Sequence, residues 1–447
     1  MYKQGKLKIT LPKDKYLFFI LIIISIINFL PVVYVIPRIL ISLVEVALSG
    51  ALFLFVLLKS RRAFVVNISV IAVVFLINLL AYFHCYANVD SIGSYVIRST
   101  MCWIYMMVGV YVSQYASKRT VRMVFHFILF LLVITSITSI LSVIDYPTAM
   151  RELGNGSMNI RGLESLLYRR NTATWSMVFA MVFVLPYLIS ALKKTHKFIY
   201  MVVCVILCLC ILRSQITMAL LMTIAVILLS VLKPGTNVRI FLIIGFVLLL
   251  VWIFDEQVTN LLYWLYTDVF GGTTDTVLGK RFYQLYISFQ GRELVGTYGG
   301  RFDLYMTSIK SFLAHPFFGV DAVGYTTIVA SGSAVGLHSQ IFDTLAATGI
   351  FCSIFLACIF AYYVKREKSS IIEKENRNLF SNVVLLLVAL MLMNPTYYSA
   401  CIFFIVWLGS AYLNSLDEKK SEAHLYSNQS QKYPFDDRLC RPVAYKK

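Results

Sequence analysis

Apolar residues in this chain come in runs of about twenty, the length a helix needs to cross the hydrocarbon of a bilayer. The runs fall near 16–36, 38–58, 63–84, 96–116, 121–144, 172–192, 197–212, 214–232, 239–254, 340–364, 379–394 and 397–415. They predict an all-α integral membrane protein of about twelve transmembrane helices in a membrane domain over 1–415. Two intervals between runs, 145–171 and 255–339, are longer than connections that only join helices. The second is rich in Tyr, Phe, Trp and Gly, so it is expected to be a large ordered outer loop. Within it, 301–314 places Phe302, Tyr305, Met306, Ile309, Phe312 and Leu313 on one helical face. That predicts an amphipathic helix on the membrane surface or over a cavity. His315-Pro316 would end it, because the residue before proline disfavours helical geometry. The tail over 416–447 is polar.

Composition agrees with the pattern. Of 447 residues, 59% are hydrophobic and 14% charged, where soluble domains carry about a quarter charged. A net charge of +18 would suit nucleic acid if it were concentrated, but it is divided among the short polar clusters. With the amino terminus inside, 28 of the 40 basic residues fall on the cytoplasmic side. Nine of the other 12 lie in the two long loops, so every short loop obeys the positive-inside rule. Both termini are thereby expected in the cytoplasm, and 16–36 is read as a first span rather than a cleaved signal. Most of the nine cysteines sit inside apolar runs, where a thiol behaves as a small hydrophobe. Cys204, Cys208 and Cys210 have no accompanying histidine pair, so no metal site is expected.

The outer side is rich in arginine. Arg38, Arg98 and Arg213 stand at outer helix ends, Arg151, Arg161, Arg169 and Arg170 in the first loop, and Arg281, Arg292 and Arg301 in the second. A guanidinium stays charged and grips phosphate at two points, which suits a diphosphate ligand. The competing reading is ordinary ion pairing with Glu152, Glu164, Glu293 and Asp303. Arg213, pressed between two apolar runs, either snorkels to the headgroups or faces a lipid-phosphate cavity. Glu45, inside the second run, is costly unless partnered. His338 opens the tenth span and shares it with Asp343, so it could serve as a general base, or it could be a helix-end residue satisfied by backbone. The sequence carries no phosphate-binding glycine loop, no G-x-S-x-G and no H-E-x-x-H.

Gly300-Arg301-Phe302-Asp303-Leu304-Tyr305, Phe312-Leu313-Ala314-His315-Pro316-Phe317-Phe318-Gly319, His338-Ser339 and Gly349-Ile350 together resemble the O-antigen polymerase/ligase superfamily. Arg169-Arg170-Asn171 resembles that family's arginine/asparagine start to the span after the first loop. The first loop holds no second copy of the Arg301–Gly319 stretch, unlike polymerases with matched arginine loops. The resemblance implies a GT-C-like architecture and a bacterial inner-membrane glycosyltransferase needing no nucleotide sugar, metal or other cofactor. Its substrates would be undecaprenyl-diphosphate-linked oligosaccharides, with a flippase and a chain-length regulator as partners and no nucleic acid. His338 and Arg301 would be catalytic. Arg213, Arg161, Arg169, Arg170, Arg281 and Arg292 would bind diphosphate, and Asp303, Tyr305 and Asp343 would give support. Such an enzyme polymerises O-antigen or capsule repeat units. The alternatives are an O-antigen ligase, or a flippase or other transporter, which twelve spans suit equally well but an ordered outer loop does not.

Overall fold

The computed structural model describes residues 14–83, 93–155, 163–231, 255–274, 277–291, 297–320, 335–397 and 399–416, and among them every regular element is a helix. The elements are α1 (Lys15–Phe29), α2 (Arg38–Lys59), α3 (Arg61–Ala81), α4 (Arg98–Tyr115), α5 (Lys118–Asp145), α6 (Ala149–Asn155), α7 (Leu163–Arg169) and α8 (Trp175–Thr195). They continue with α9 (Phe198–Arg213), α10 (Thr217–Val231), α11 (Asp255–Trp264), α12 (Val277–Gly291), α13 (Thr297–Ala314), α14 (Gln340–Ser370), α15 (Lys374–Met393) and α16 (Ala400–Leu416). Six of them (α3, α4, α5, α8, α14 and α15) are long and apolar enough to cross a membrane, and α1, α2, α9, α10 and α16 carry shorter apolar helices. The predicted span at 239–254 and the tail beyond 416 lie outside the described residues.

Two predicted spans differ in form, each for a backbone reason. The run at 16–36 is not one α-helix: α1 stops at Phe29, and Pro31 opens a 3₁₀ turn over Pro31–Val35. Proline lacks the N–H that would continue the ladder. The run at 340–364 extends to Ser370 but is two helices meeting at Gly349, whose φ of 71° and ψ of −177° are not helical.

Segments that charge assigned to one side do meet at one end of the bundle. Ser117 N–H donates to Asp14 Oδ2 at 2.8 Å, Lys194 reaches Glu373 at 2.7 Å and Arg366 reaches Gln114 at 2.9 Å. Arg122 donates to the Ser415 carbonyl there as well. The opposite end gathers Tyr34 under Arg98 and joins Asn171 to Thr135. The described apolar helices therefore alternate in direction as the charge pattern predicts.

α4, α8 and α16 form the centre. Ala400–Leu413 of α16 is buried on every face, the mark of a helix surrounded by others. Lipid tails supply little hydrophobic drive between helices, so backbones must approach closely at small residues. Gly109 provides one approach, since a Cβ there would lie 2.2 Å from Trp407 Cβ; Gly409 provides another against the Tyr187 ring. Peripheral helices turn Leu43, Leu54, Phe75, Leu76, Leu209 and Leu221 outward, a surface that lipid would solvate. Between 255 and 291, α11 and the turn after it pair with α12 through aromatic contacts, Tyr263 on Tyr286 at 5.1 Å and Phe270 on Phe282 at 5.0 Å. α13 packs on α14.

Candidate functional site

Ser339 starts α14 as its N-cap. Its hydroxyl accepts from Phe342 N–H at 3.2 Å, and Asp343 reaches back so that Oδ2 accepts from Ser339 N–H at 3.0 Å. This is a reciprocal cap in the manner of the capping box. The second carboxylate oxygen of Asp343 accepts from Ser308 Oγ at 2.7 Å, and Ser308 in turn accepts from Gly336 N–H at 2.9 Å. One buried carboxylate thus ties α13, the 335–339 segment and the start of α14 together. A buried carboxylate must collect hydrogen bonds of this kind to be tolerated.

The same segment is held in a costly conformation. Leu337 has a φ of 58°, a region that costs a residue of its shape about 1 kcal/mol or more. Gly336 passes so close to α13 that a Cβ would fall 2.0 Å from the Leu304 carbonyl oxygen. Together they set the position of His338, which is half-buried. Its Nδ1–H donates to the Gly336 carbonyl at 3.2 Å, a tautomer assigned from that bond, which leaves Nε2 as an acceptor. Burial holds the His338 pKa below its ordinary value; the Arg301 charge pushes the same way, while backbone hydrogen bonding to Gly336 opposes.

Arg301, near the start of α13, is close enough for its charge to act on both His338 and Tyr305. No carboxylate pairs with it among the described residues. Tyr305 donates to the Met393 carbonyl at 2.8 Å, and burial raises its pKa. An imidazole with a lowered pKa, a guanidinium with no carboxylate partner among the described residues and a phenol therefore share one end of the bundle. Gln340 extends the cluster, since its Oε1 accepts from Thr396 N–H at 3.2 Å and Tyr397 N–H at 2.9 Å.

The four short motifs also come together. Gly319 and Gly349, with φ of 67° and 71°, lie back to back, and Ile350 N–H donates to the Pro316 carbonyl at 2.8 Å. The turn after α13 is thereby seated in the kink of α14. α13 runs over Thr297–Ala314, four residues longer at its start than predicted. Part of the apolar stripe read from the sequence is turned to the outside of the protein, as a helix lying on a membrane surface would turn it. Ser308 is fully buried through its bond to Asp343, while Phe302 and Leu313 are 50% and 68% exposed.

The other predicted residues divide. Arg170 pairs with Asp145 and lies over the Tyr146 ring at 5.7 Å, the ordinary loop pairing. Arg281 donates to Gln284 at 3.2 Å on α12. Arg169 and Asp303 are exposed. Arg213 is exposed at the end of α9, where Cys210 touches Met150 of α6, so it belongs with the first loop rather than with His338. Asn171 is structural: with φ of 57° it donates to Thr135 at 3.0 Å and accepts from Val32 N–H. Arg161 and Arg292 lie outside the described residues. Sequence reasoning passed over Ser308 and Gln340, whose only signal was a polar residue one or two turns from Arg301 and His338. Among the described residues no group of acidic, Cys and His side chains could hold a metal. No protein-family model matches the chain, and no curated protein matches it.

Proposed function

We propose that the protein is a polysaccharide polymerase of the bacterial inner membrane, joining polyprenyl-diphosphate-linked oligosaccharides on the outer face. The reading takes twelve spans with both termini in the cytoplasm, so that α13 and His338 face outward. The observation that carries it is that Arg301, which has no carboxylate partner among the described residues, acts on His338, whose pKa is held low, at one end of a bundle of apolar helices. Glycosyl transfer from a lipid diphosphate needs those two functions: a cation for the leaving group and a base for the acceptor.

In the proposed reaction the acceptor hydroxyl gives its proton to His338 Nε2 as its oxygen bonds the anomeric carbon. The bond from that carbon to the diphosphate breaks, and the electron pair leaves with the diphosphate. Arg301 neutralises the charge that builds there. Asp343 positions both groups through Ser308 and Ser339, without touching substrate. Supporting the reading, the segments between 300 and 350 that resemble the polymerase/ligase superfamily pack as one unit.

Cells lacking the gene, compared with complemented cells on a surface-polysaccharide gel, give the test. Loss of the ladder with a single repeat unit still attached is the expected result. Full-length polymer retained on its carrier would mean a ligase. Loss of every repeat unit with precursor trapped inside would mean a flippase, and the outer-face chemistry would be discarded.

A further inference from the structure

A second polar centre lies in the bundle, away from His338 and unused by the reaction above. Glu45 on α2 is buried at 9% exposure. Asn28 Nδ2 donates to the Tyr105 hydroxyl at 2.9 Å, and that hydroxyl donates to Glu45 Oε1 at 3.2 Å. Because Asn28 occupies the acceptor side of Tyr105, the tyrosine proton points at Glu45, which is thereby set as an acceptor. Across a cavity of about 30 Å³ stands Arg98, its guanidinium 5.7 Å from the Tyr34 ring centre. No ion pair joins the two among the described residues, so a carboxyl acceptor and a guanidinium donor line one cavity without bonding to each other. Ser42 and Ser176 add hydroxyls to the wall. The Tyr168 ring of α7 sits 5.6 Å from Tyr34, which brings the first-loop helix to this side of the cavity.

We propose that the Glu45–Arg98 cavity is a saccharide subsite that takes one hydroxyl or hydroxymethyl group of a neutral sugar. An anion would meet Glu45 and a cation would meet Arg98, whereas a hydroxyl donates to one and accepts from the other. Size limits the rest, since about 30 Å³ of water-sized space, at roughly 10–15 Å³ for each water, is room for two or three waters. A whole ring or a diphosphate does not fit, so only one substituent of the ring enters. Ala400 and Cys401 line the cavity and continue the 396–397 segment that Gln340 grips, which connects the subsite to the His338 cluster. The inference rests on the polymerase reading for the source of the sugar and not for the geometry.

Saturation-transfer NMR on the full chain in lipid nanodiscs tests it, with methyl glucoside, methyl galactoside and methyl N-acetylglucosaminide as probes. At least one sugar is expected to take saturation, with affinity about tenfold or more weaker in Glu45→Gln and Arg98→Gln, as losing a hydrogen bond to a charged group gives. Ser42→Leu fills the cavity while keeping both charges, and should lose binding with thermal unfolding unchanged. His338→Ala should bind as the unaltered protein does, whatever the polysaccharide gel says about polymerisation. A cavity holding water only would show no saturation for any probe, or equal saturation in all three cavity variants. Either result overturns the subsite, as does loss of the signal in His338→Ala.

Discussion

His338 is suited to be a base by where it is placed rather than by a carboxylate that would hold its proton. Burial comes first and the Arg301 charge adds to it, so the pKa lies below the ordinary 6.5. A group with a depressed pKa is neutral above that value and becomes protonated only below it. Polymer synthesis in membranes is therefore expected to stay level through neutral pH and to fall on the acid side of the ordinary imidazole range. Removing the Arg301 charge lifts one cause of the depression, so the acid limb measured on residual activity of Arg301→Gln should move to higher pH. A limb that stays where it was would separate the two residues. Arg301→Ala itself should cost about 3 kcal/mol of transition-state stabilisation, roughly a hundredfold in rate. His338→Ala should leave the chain folded and the ladder absent, which a gel normalised to protein level reads directly. Normal polymer from either variant would remove that residue from the mechanism.

At the scale of the element, α13 is fastened by one carboxylate and one tight turn. Asp343 holds Ser308 and Ser339 at 2.7 and 3.0 Å. Asp343→Ala would leave both without their partner and free α13 from the start of α14. Hydrogen exchange over 297–314 should rise, and synthesis should fall at least tenfold although His338 and Arg301 are intact. Unchanged protection there would mean that packing alone retains the helix. Gly349 tests the other attachment. Its φ of 71° and ψ of −177° are open only to glycine, and a Cβ would sit 2.4 Å from the Phe317 carbonyl oxygen. Gly349→Ala is expected to destabilise the protein by about 1–3 kcal/mol or more, read as a lower unfolding temperature in detergent.

For the whole molecule the question is which end faces out. Asp14, Lys194, Glu373 and Arg366 meet at one end, and Tyr34, Arg98, Asn171 and Gln340 at the other. With the basic end inside, a cysteine at Asp303 should react with an impermeant maleimide in intact cells, and one at Lys368 only after permeabilisation. Both would be placed in a chain freed of its nine native cysteines. The reverse labelling would turn the molecule over and put His338 where no lipid-linked acceptor waits.

The helices were legible in the sequence because a spanning helix satisfies its own backbone, so apolar length and flanking charge suffice to place it. Alternating direction followed from the same charges. Breaks inside the runs were harder to read: Pro31 stood in view, but the kink at Gly349 depends on Pro316 and Phe317 arriving from another segment. The stripe on 301–314 announced an amphipathic helix and left open what each of its sides would meet. Period shows which side of a helix is apolar, and only the partner shows which side is buried; here that partner is Asp343. Arg301 and His338 could be singled out one by one, since each is an unusual residue at its place. Their proximity could not be read, nor the facing of Glu45 and Arg98, because pairs 37 and 53 residues apart are joined by tertiary packing alone.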